Sequence, residues 1–200
     1  MKTNSLTLPG PDPYAGYRSD IYALLAALLG REPNPDMLSW LQELLLPPDL
    51  PPACAGALAD LRQEAIEKPH AAVQNEFQDL FLVPGGGCII PYGSWYHEGL
   101  LAGKFLAHLR TSLAELGIGR REGFCEPEDH AALIFETMAL LNQRKDISPE
   151  SYNRFFEQHV ASWMFAFFSD LKQAEAADFY RSVSNLGTVL LNWEKKHKGA

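Results

Sequence analysis

Residues 17–30 read Y-R-S-D-I-Y-A-L-L-A-A-L-L-G, and their spacing decides the fold class. Tyr17, Ile21, Leu24, Leu25 and Leu28 fall on one face of an amphipathic helix, which Gly30, Pro33 and Pro35 bring to an end. The same period recurs down the chain. A shorter apolar run opens at Pro35-Asp36 and reaches Leu45, and Pro47–Pro52, with four prolines in six residues, reads as a connector. Helical runs follow over residues 53–67 and 70–82, the second carrying Val73, Phe77, Leu80 and Phe81. From near Tyr96 the stripe Leu101, Phe105, Leu109, Leu113, Leu116 continues to Gly117 and Gly119. Pro127 stands where the first residue of a helix should, ahead of a buried face of Leu133, Ile134, Met138 and Leu141. Phe156, Val160, Trp163 and Phe167 stripe one further helix, and Phe179, Val183, Leu186, Leu190 and Trp193 the last. No segment alternates as a strand does, and no repeat is visible. The expectation is an all-α fold: one helical domain over residues 15–196, of about eight helices, behind a loose tail at residues 1–14.

Composition narrows the partners. A chain of 200 residues removes roughly 70% of its unfolded surface from water, enough for a core that needs no metal or disulfide. With 17 basic and 25 acidic residues the net charge is −8, which argues against nucleic acid and favours a basic peptide or protein. The charge-free stretch ending at His97 is interrupted by glycines and prolines, so no membrane insertion is expected. Cys54, Cys88 and Cys125 are odd in number and lack C-x-x-C spacing, and no signal peptide opens the chain. Reduced thiols in a cytoplasmic protein follow as the expectation.

Motifs for catalysis are sparse. The six histidines offer no H-E-x-x-H pair, and neither a nucleophile elbow nor a phosphate loop is present. Gly85-Gly86-Gly87 lacks a lysine and follows a helix. Cys125, His130 and Asp129 are close enough in sequence to be weighed as a nucleophile set, although cysteine is more often a small buried hydrophobe. Two stretches depart from ordinary helical sequence. Pro91-Tyr-Gly-Ser-Trp-Tyr-His-Glu98 packs three aromatics into five residues, either as a rigid apolar wall for a peptide or as a cap folded onto the core. Glu122–His130 holds four acids and no base. Its acids suit a helix N-terminus, while Asp129 and His130, as helical neighbours, diverge by about 100°. On that spacing Asp129 can look outward while His130 turns toward the core or across to another element. His159, one turn before Trp163, reads as a buried histidine bonded to a carbonyl and packed on the indole.

Taken in order, Phe77-x-x-Leu80-Phe81, Pro91-Tyr92-Gly93-Ser94, Glu126-Pro127-Glu128-Asp129-His130, His159-x-x-x-Trp163 and Phe179-Tyr180-Arg181 resemble the TorD/DmsD family. Its members are all-helical cytoplasmic chaperones, also called redox-enzyme maturation proteins. The resemblance implies a partner: the precursor of an exported molybdoenzyme catalytic subunit and its twin-arginine signal peptide, guarded until the molybdenum cofactor is inserted. It implies no catalysis and no cofactor for the chain itself. Asp129 and His130, with Glu126, correspond to the family's functional acidic helix start, Pro91 and Tyr92 to the adjoining loop, and Phe77 and Leu80 to the groove wall. Carboxylates suit the guanidinium pair of such a peptide, and an aromatic-lined groove suits its apolar stretch. Ser162 stands where relatives often carry proline, Gly85–Gly87 where some carry tryptophan, and the first helix lacks a tyrosine pair seen in others. A small enzyme using Cys125, His130 and Asp129, or an adaptor for a basic protein, are the competing readings. Monomer and domain-swapped dimer are both compatible with the connector and long loop.

Overall fold

The computed structural model describes residues 14–82, 88–119 and 126–197. Expectations that fall on residues 1–13, Gly85–Gly87 and Cys125 lie outside the described residues. Among the described residues ten α-helices follow one another: α1 Ala15–Gly30, α2 Pro35–Gln42, α3 Pro52–Glu67, α4 His70–Phe77, α5 Gly93–Glu98, α6 Lys104–Glu115, α7 Ala131–Gln143, α8 Pro149–Phe155, α9 Met164–Gln173 and α10 Phe179–His197. Two π-helical stretches extend α4 and α8, over Gln78–Leu82 and Phe156–Ala161. Among the described residues there is no strand, only one isolated antiparallel bridge between Tyr92 and His130. No helix there is long and apolar enough to cross a membrane.

The all-α architecture agrees with the helical periodicity, but the division into helices differs. The stripe read as one helix from Tyr96 to Leu116 is two, because Gly99 ends α5 in the left-handed conformation and Ala102 also takes a positive φ. The stretch read as loop therefore turns helical at Gly93. α7 starts at Ala131 and not at Pro127. α8 was not apparent from apolar spacing, since Phe155 is its one buried residue.

α1 and α7 make the spine of the core. Gly30 lets the two backbones close, for a Cβ there would lie 3.2 Å from that of Ala132. Tyr22 packs on Phe135 at 5.6 Å between ring centroids, and Ser19 Oγ donates to the Ala139 carbonyl at 3.0 Å. α10 packs on α3, α9 and α1, with Tyr180, Val183, Leu186 and Leu190 fully buried. Each such large apolar side chain contributes about 1.5–3 kcal/mol of transfer free energy. Three buried charged side chains, Arg18, Glu76 and Glu194, are partnered. Glu76 accepts the amides of Asp178, Phe179 and Tyr180 at 2.7, 3.0 and 2.8 Å, holding the start of α10 with a carboxylate from α4. Arg18 pairs with Glu194 at 3.2 Å, and the Tyr152 hydroxyl donates to the same carboxylate.

His159 is buried as expected, with a different partner. Its Nε2 meets Ser112 Oγ at 2.8 Å, while its own carbonyl accepts the Trp163 indole N–H at 2.8 Å. Its ring packs edge-on against Phe105 and tilted against Phe155 and His108, not on the indole expected.

Candidate functional site

Two motifs 35 residues apart in the chain close on each other as a single joint. The Ala131 amide donates to the Pro91 carbonyl at 2.8 Å, and the Gly93 amide to the Asp129 carbonyl at 2.9 Å. These bonds form the bridge that brings Tyr92 beside His130, with rings at 5.0 Å and an interplanar angle of 81°. The Tyr92 hydroxyl then donates to Glu126 at 2.5 Å. Gly93 is required by closeness: a Cβ there would sit 2.1 Å from the Phe105 ring. Ser94 and Asp129 are wholly buried, and the Ser94 amide donates to Asp129 Oδ2 at 2.9 Å. α5 has no capping side chain of its own, so Asp129 caps it across space.

Asp129 thus overturns the outward orientation expected of it, with 0% exposure. The divergence of helical neighbours did not apply, because both Asp129 and His130 precede α7. His130, 9% exposed, is the N-cap of α7, its Nδ1 accepting the Ala132 amide at 3.2 Å. Burial lowers the His130 pKa against the pull of Glu126 and Asp129, which keeps the accepting nitrogen unprotonated. Burial, the Glu126 hydrogen bond and the charges of Glu126 and Asp129 together hold the Tyr92 phenol far above its ordinary range.

Pro91, Tyr92, Glu126, Asp129 and His130 therefore meet. Phe77 and Leu80 stand apart. Expected on a groove wall, they belong to the core: Phe77 packs on Phe81 and Tyr180, and Leu80 is fully buried. Their link to the joint is through the backbone, where the Ile89 amide donates to the Leu80 carbonyl at 3.0 Å.

Beside the joint, between α6 and α7, lies a cleft of about 570 Å³. Among the described residues Glu126, Glu128 and Glu136 line it, with Arg110 as the one base, over an apolar floor that includes Leu113 and Leu133. Arg110 donates from Nε and Nη2 to the same Glu128 oxygen, at 2.9 and 2.8 Å, and this bond is the main reason its pKa is raised. Sequence reasoning missed Arg110, Glu136 and Leu140. The signal was in α7, whose sequence A-A-L-I-F-E-T-M-A-L-L is more apolar than one buried face needs. Leu133, Glu136, Thr137 and Leu140 form a second stripe at helical spacing, and it is this stripe that faces the cleft. A second cleft of about 520 Å³, mainly apolar but with Asp20 and Asn34 in its lining, opens between α1 and α2 around Leu24, Met37 and Trp40. Among the described residues no cluster of histidine, cysteine or carboxylate is arranged to hold a metal.

A family model described as nitrate reductase delta subunit matches residues 47–169, a span that contains the joint and the acidic cleft. The chaperone protein TorD of Vibrio cholerae is 29% identical over 130 residues, covering 60% of this chain and 59% of that protein. A TorD of Photobacterium profundum is 27% identical over 192 residues, covering 84% and 88%. A Haemophilus influenzae relative, named as the Tat proofreading chaperone DmsD, is 29% identical over 125 residues, covering 61% of this chain and 60% of that protein. The chain thus spans about three fifths of the first of these relatives. In fold it is similar to a solved structure from Archaeoglobus fulgidus described as a redox enzyme maturation protein, at TM-score 0.58 and 16% identity, over 96% of this chain and 99% of that one. With the family model spanning more than half of its length, the chain belongs to the nitrate reductase delta subunit family, the TorD/DmsD group to which its motifs point.

Proposed function

We propose that this chain is a chaperone for the precursor of an exported molybdoenzyme. It holds the twin-arginine signal peptide in the cleft between α6 and α7 until the cofactor is inserted, acts in the cytoplasm, and transforms nothing chemically. The observation that carries this reading is the composition of the cleft among the described residues: three carboxylates around one arginine, above apolar side chains. A guanidinium gains charge-assisted bonds from the first, and an apolar stretch of peptide gains burial from the second. The relatives named TorD and DmsD support the reading, and so does the net charge of −8.

The division of labour differs from the one the motifs alone imply. Glu126, Glu128 and Glu136 face the cleft and meet the peptide. Asp129, His130, Pro91 and Tyr92 are positioning residues that fix the turn carrying Glu126 and Glu128. Phe77 and Leu80 hold the loop before Pro91 from within the core.

Fluorescence anisotropy with a labelled peptide of two consecutive arginines followed by an apolar stretch tests this. Saturable binding is expected, weakened about 10-fold or more by Glu126→Gln with Glu136→Gln, on the scale of ~1.5 kcal/mol for a hydrogen bond to charge. Equal affinity for a peptide with both arginines replaced by glutamine would remove the cleft from consideration. Binding of basic proteins with no preference for that peptide would favour an adaptor instead.

A further inference from the structure

The acidic cleft already contains a guanidinium. Arg110 projects from α6 and engages Glu128 through two of its nitrogens, the arrangement that an arginine of a bound peptide would adopt. The pair is unequal. Arg110 is 50% exposed at its side chain and Glu128 15%, so the carboxylate is held and the cation is the member able to swing away. Glu128 lies one residue from Asp129, which is buried in the joint with Oδ1 lacking a hydrogen-bond partner among the described residues. Arg110 feels the charge of both: Glu128 first, then Asp129, raise its pKa.

We infer that Arg110 is a resident competitor for the arginine-binding position of the cleft, and that it sets which ligands succeed there. This rests on the cleft being the peptide site. A peptide arginine that reaches Glu128 replaces one charge-assisted pair by another of the same chemistry, so the exchange at that position gains little. Affinity must then come from what Arg110 cannot imitate: contact with the apolar floor at Leu113, Leu133 and Leu140, and a second guanidinium at Glu126 or Glu136. Free arginine and short basic peptides are rejected, while a paired-arginine segment with an apolar continuation displaces Arg110. Discrimination arises from the competing contact as much as from the attractive ones.

The test is a double-mutant cycle read by anisotropy, using the labelled two-arginine peptide with its apolar stretch. Arg110→Gln is expected to tighten binding about 3- to 5-fold, the worth of a half-exposed ion pair. Glu128→Gln is expected to weaken it. In the Glu128→Gln background, Arg110→Gln is expected to change affinity less than 2-fold, because the position being contested is gone. Tightening of equal size in both backgrounds would mean that only the net charge of the cleft matters, and would overturn the inference. Wild-type binding with Arg110→Gln unchanged or weaker would overturn it too, while leaving the cleft as the peptide site. Binding by neither protein would remove both.

Discussion

Replacing Asp129 isolates the joint from the cleft. Its carboxylate supplies Oδ2 to the Ser94 amide at 2.9 Å, and both residues are wholly buried. Asp129→Ala removes a charge-assisted hydrogen bond worth ~1.5–3 kcal/mol and leaves a buried N–H with no acceptor at the start of α5. The backbone bond from Gly93 to the Asp129 carbonyl survives, so the joint loosens without parting. A loss of about 2–3 kcal/mol follows, or roughly 4–12 °C in midpoint for a chain of this length. Asp129→Asn keeps an oxygen for Ser94 and sheds the expense of burying a charge, so about 1 kcal/mol is expected there. Urea melts followed by circular dichroism and by tryptophan fluorescence give both numbers. Peptide affinity, measured under conditions where each variant is fully folded, should fall for alanine and recover for asparagine. Alanine within ~0.5 kcal/mol of wild type would refute the cap. Asparagine that binds as poorly as alanine while melting like wild type would show that the carboxylate charge acts on the peptide directly.

Two further outcomes follow from neighbouring geometry. Gly93→Ala places a methyl group 2.1 Å from the Phe105 ring, an overpacking expected to cost about 1–3 kcal/mol in the same urea melts; partial relief by Phe105→Leu would confirm that the ring is the obstacle. His159 has its pKa lowered to about 4, by burial first and then by the charges of His108 and His97. A histidine whose folded pKa is depressed stabilises the fold above its unfolded value near 6.5, and that stability drains away as pH falls from about 6.5 toward 4. The loss is on the order of 3 kcal/mol, and stability-versus-pH curves of His159→Gln should lack that part of the slope.

The helices were legible where an apolar stripe and its stop signals agreed. The run from Tyr17 to Gly30, the start of α3 behind its prolines and the stripe from Phe179 to Trp193 all rest on that agreement. The break between α5 and α6 was harder to see. Leu100 and Leu101 carry the apolar pattern across a turn that only Gly99 announces. α8 has the opposite character: Ser148 accepts the Ser151 amide and Pro149 stands at the first turn, a plain start signal, but so little of the helix is buried that no stripe follows it. The candidate joint could be assembled from its two motifs, yet the inward turn of Asp129 could not. Histidine is an uncommon N-cap, so the start of α7 was displaced to Pro127, and with it the outward orientation inferred for Asp129, while Ile134, Met138 and Leu141 are buried as their spacing implies. Arg110 carries no local mark at all. It sits 18 residues from Glu128, and only the packing of α6 on the turn before α7 brings them together.

That packing also determines how defects at this site should be interpreted. The stretch from Glu126 to His130 divides between two tasks: Glu126 and Glu128 line the cleft, and Asp129 and His130 bind the backbone that carries them. If the cleft is the peptide site, a substitution in either half is expected to lower peptide affinity, so a binding assay alone would assign contact to residues that make none. The halves separate on two measured axes. A lining carboxylate, changed to its amide, lowers affinity with stability nearly untouched, and its effect fades with added salt as exposed charge is screened. A positioning residue lowers stability and affinity together, and the conservative variant that restores the hydrogen bond restores both. Tyr92 tests the boundary, since its ring packs on His130 while its hydroxyl holds Glu126. Tyr92→Phe keeps the packing and frees the carboxylate. With Tyr92 positioning Glu126, that variant is expected to bind less tightly at nearly unchanged stability; binding at least as tight as wild type would show that the carboxylate serves the peptide without its hydroxyl partner and that Tyr92 acts through its ring alone.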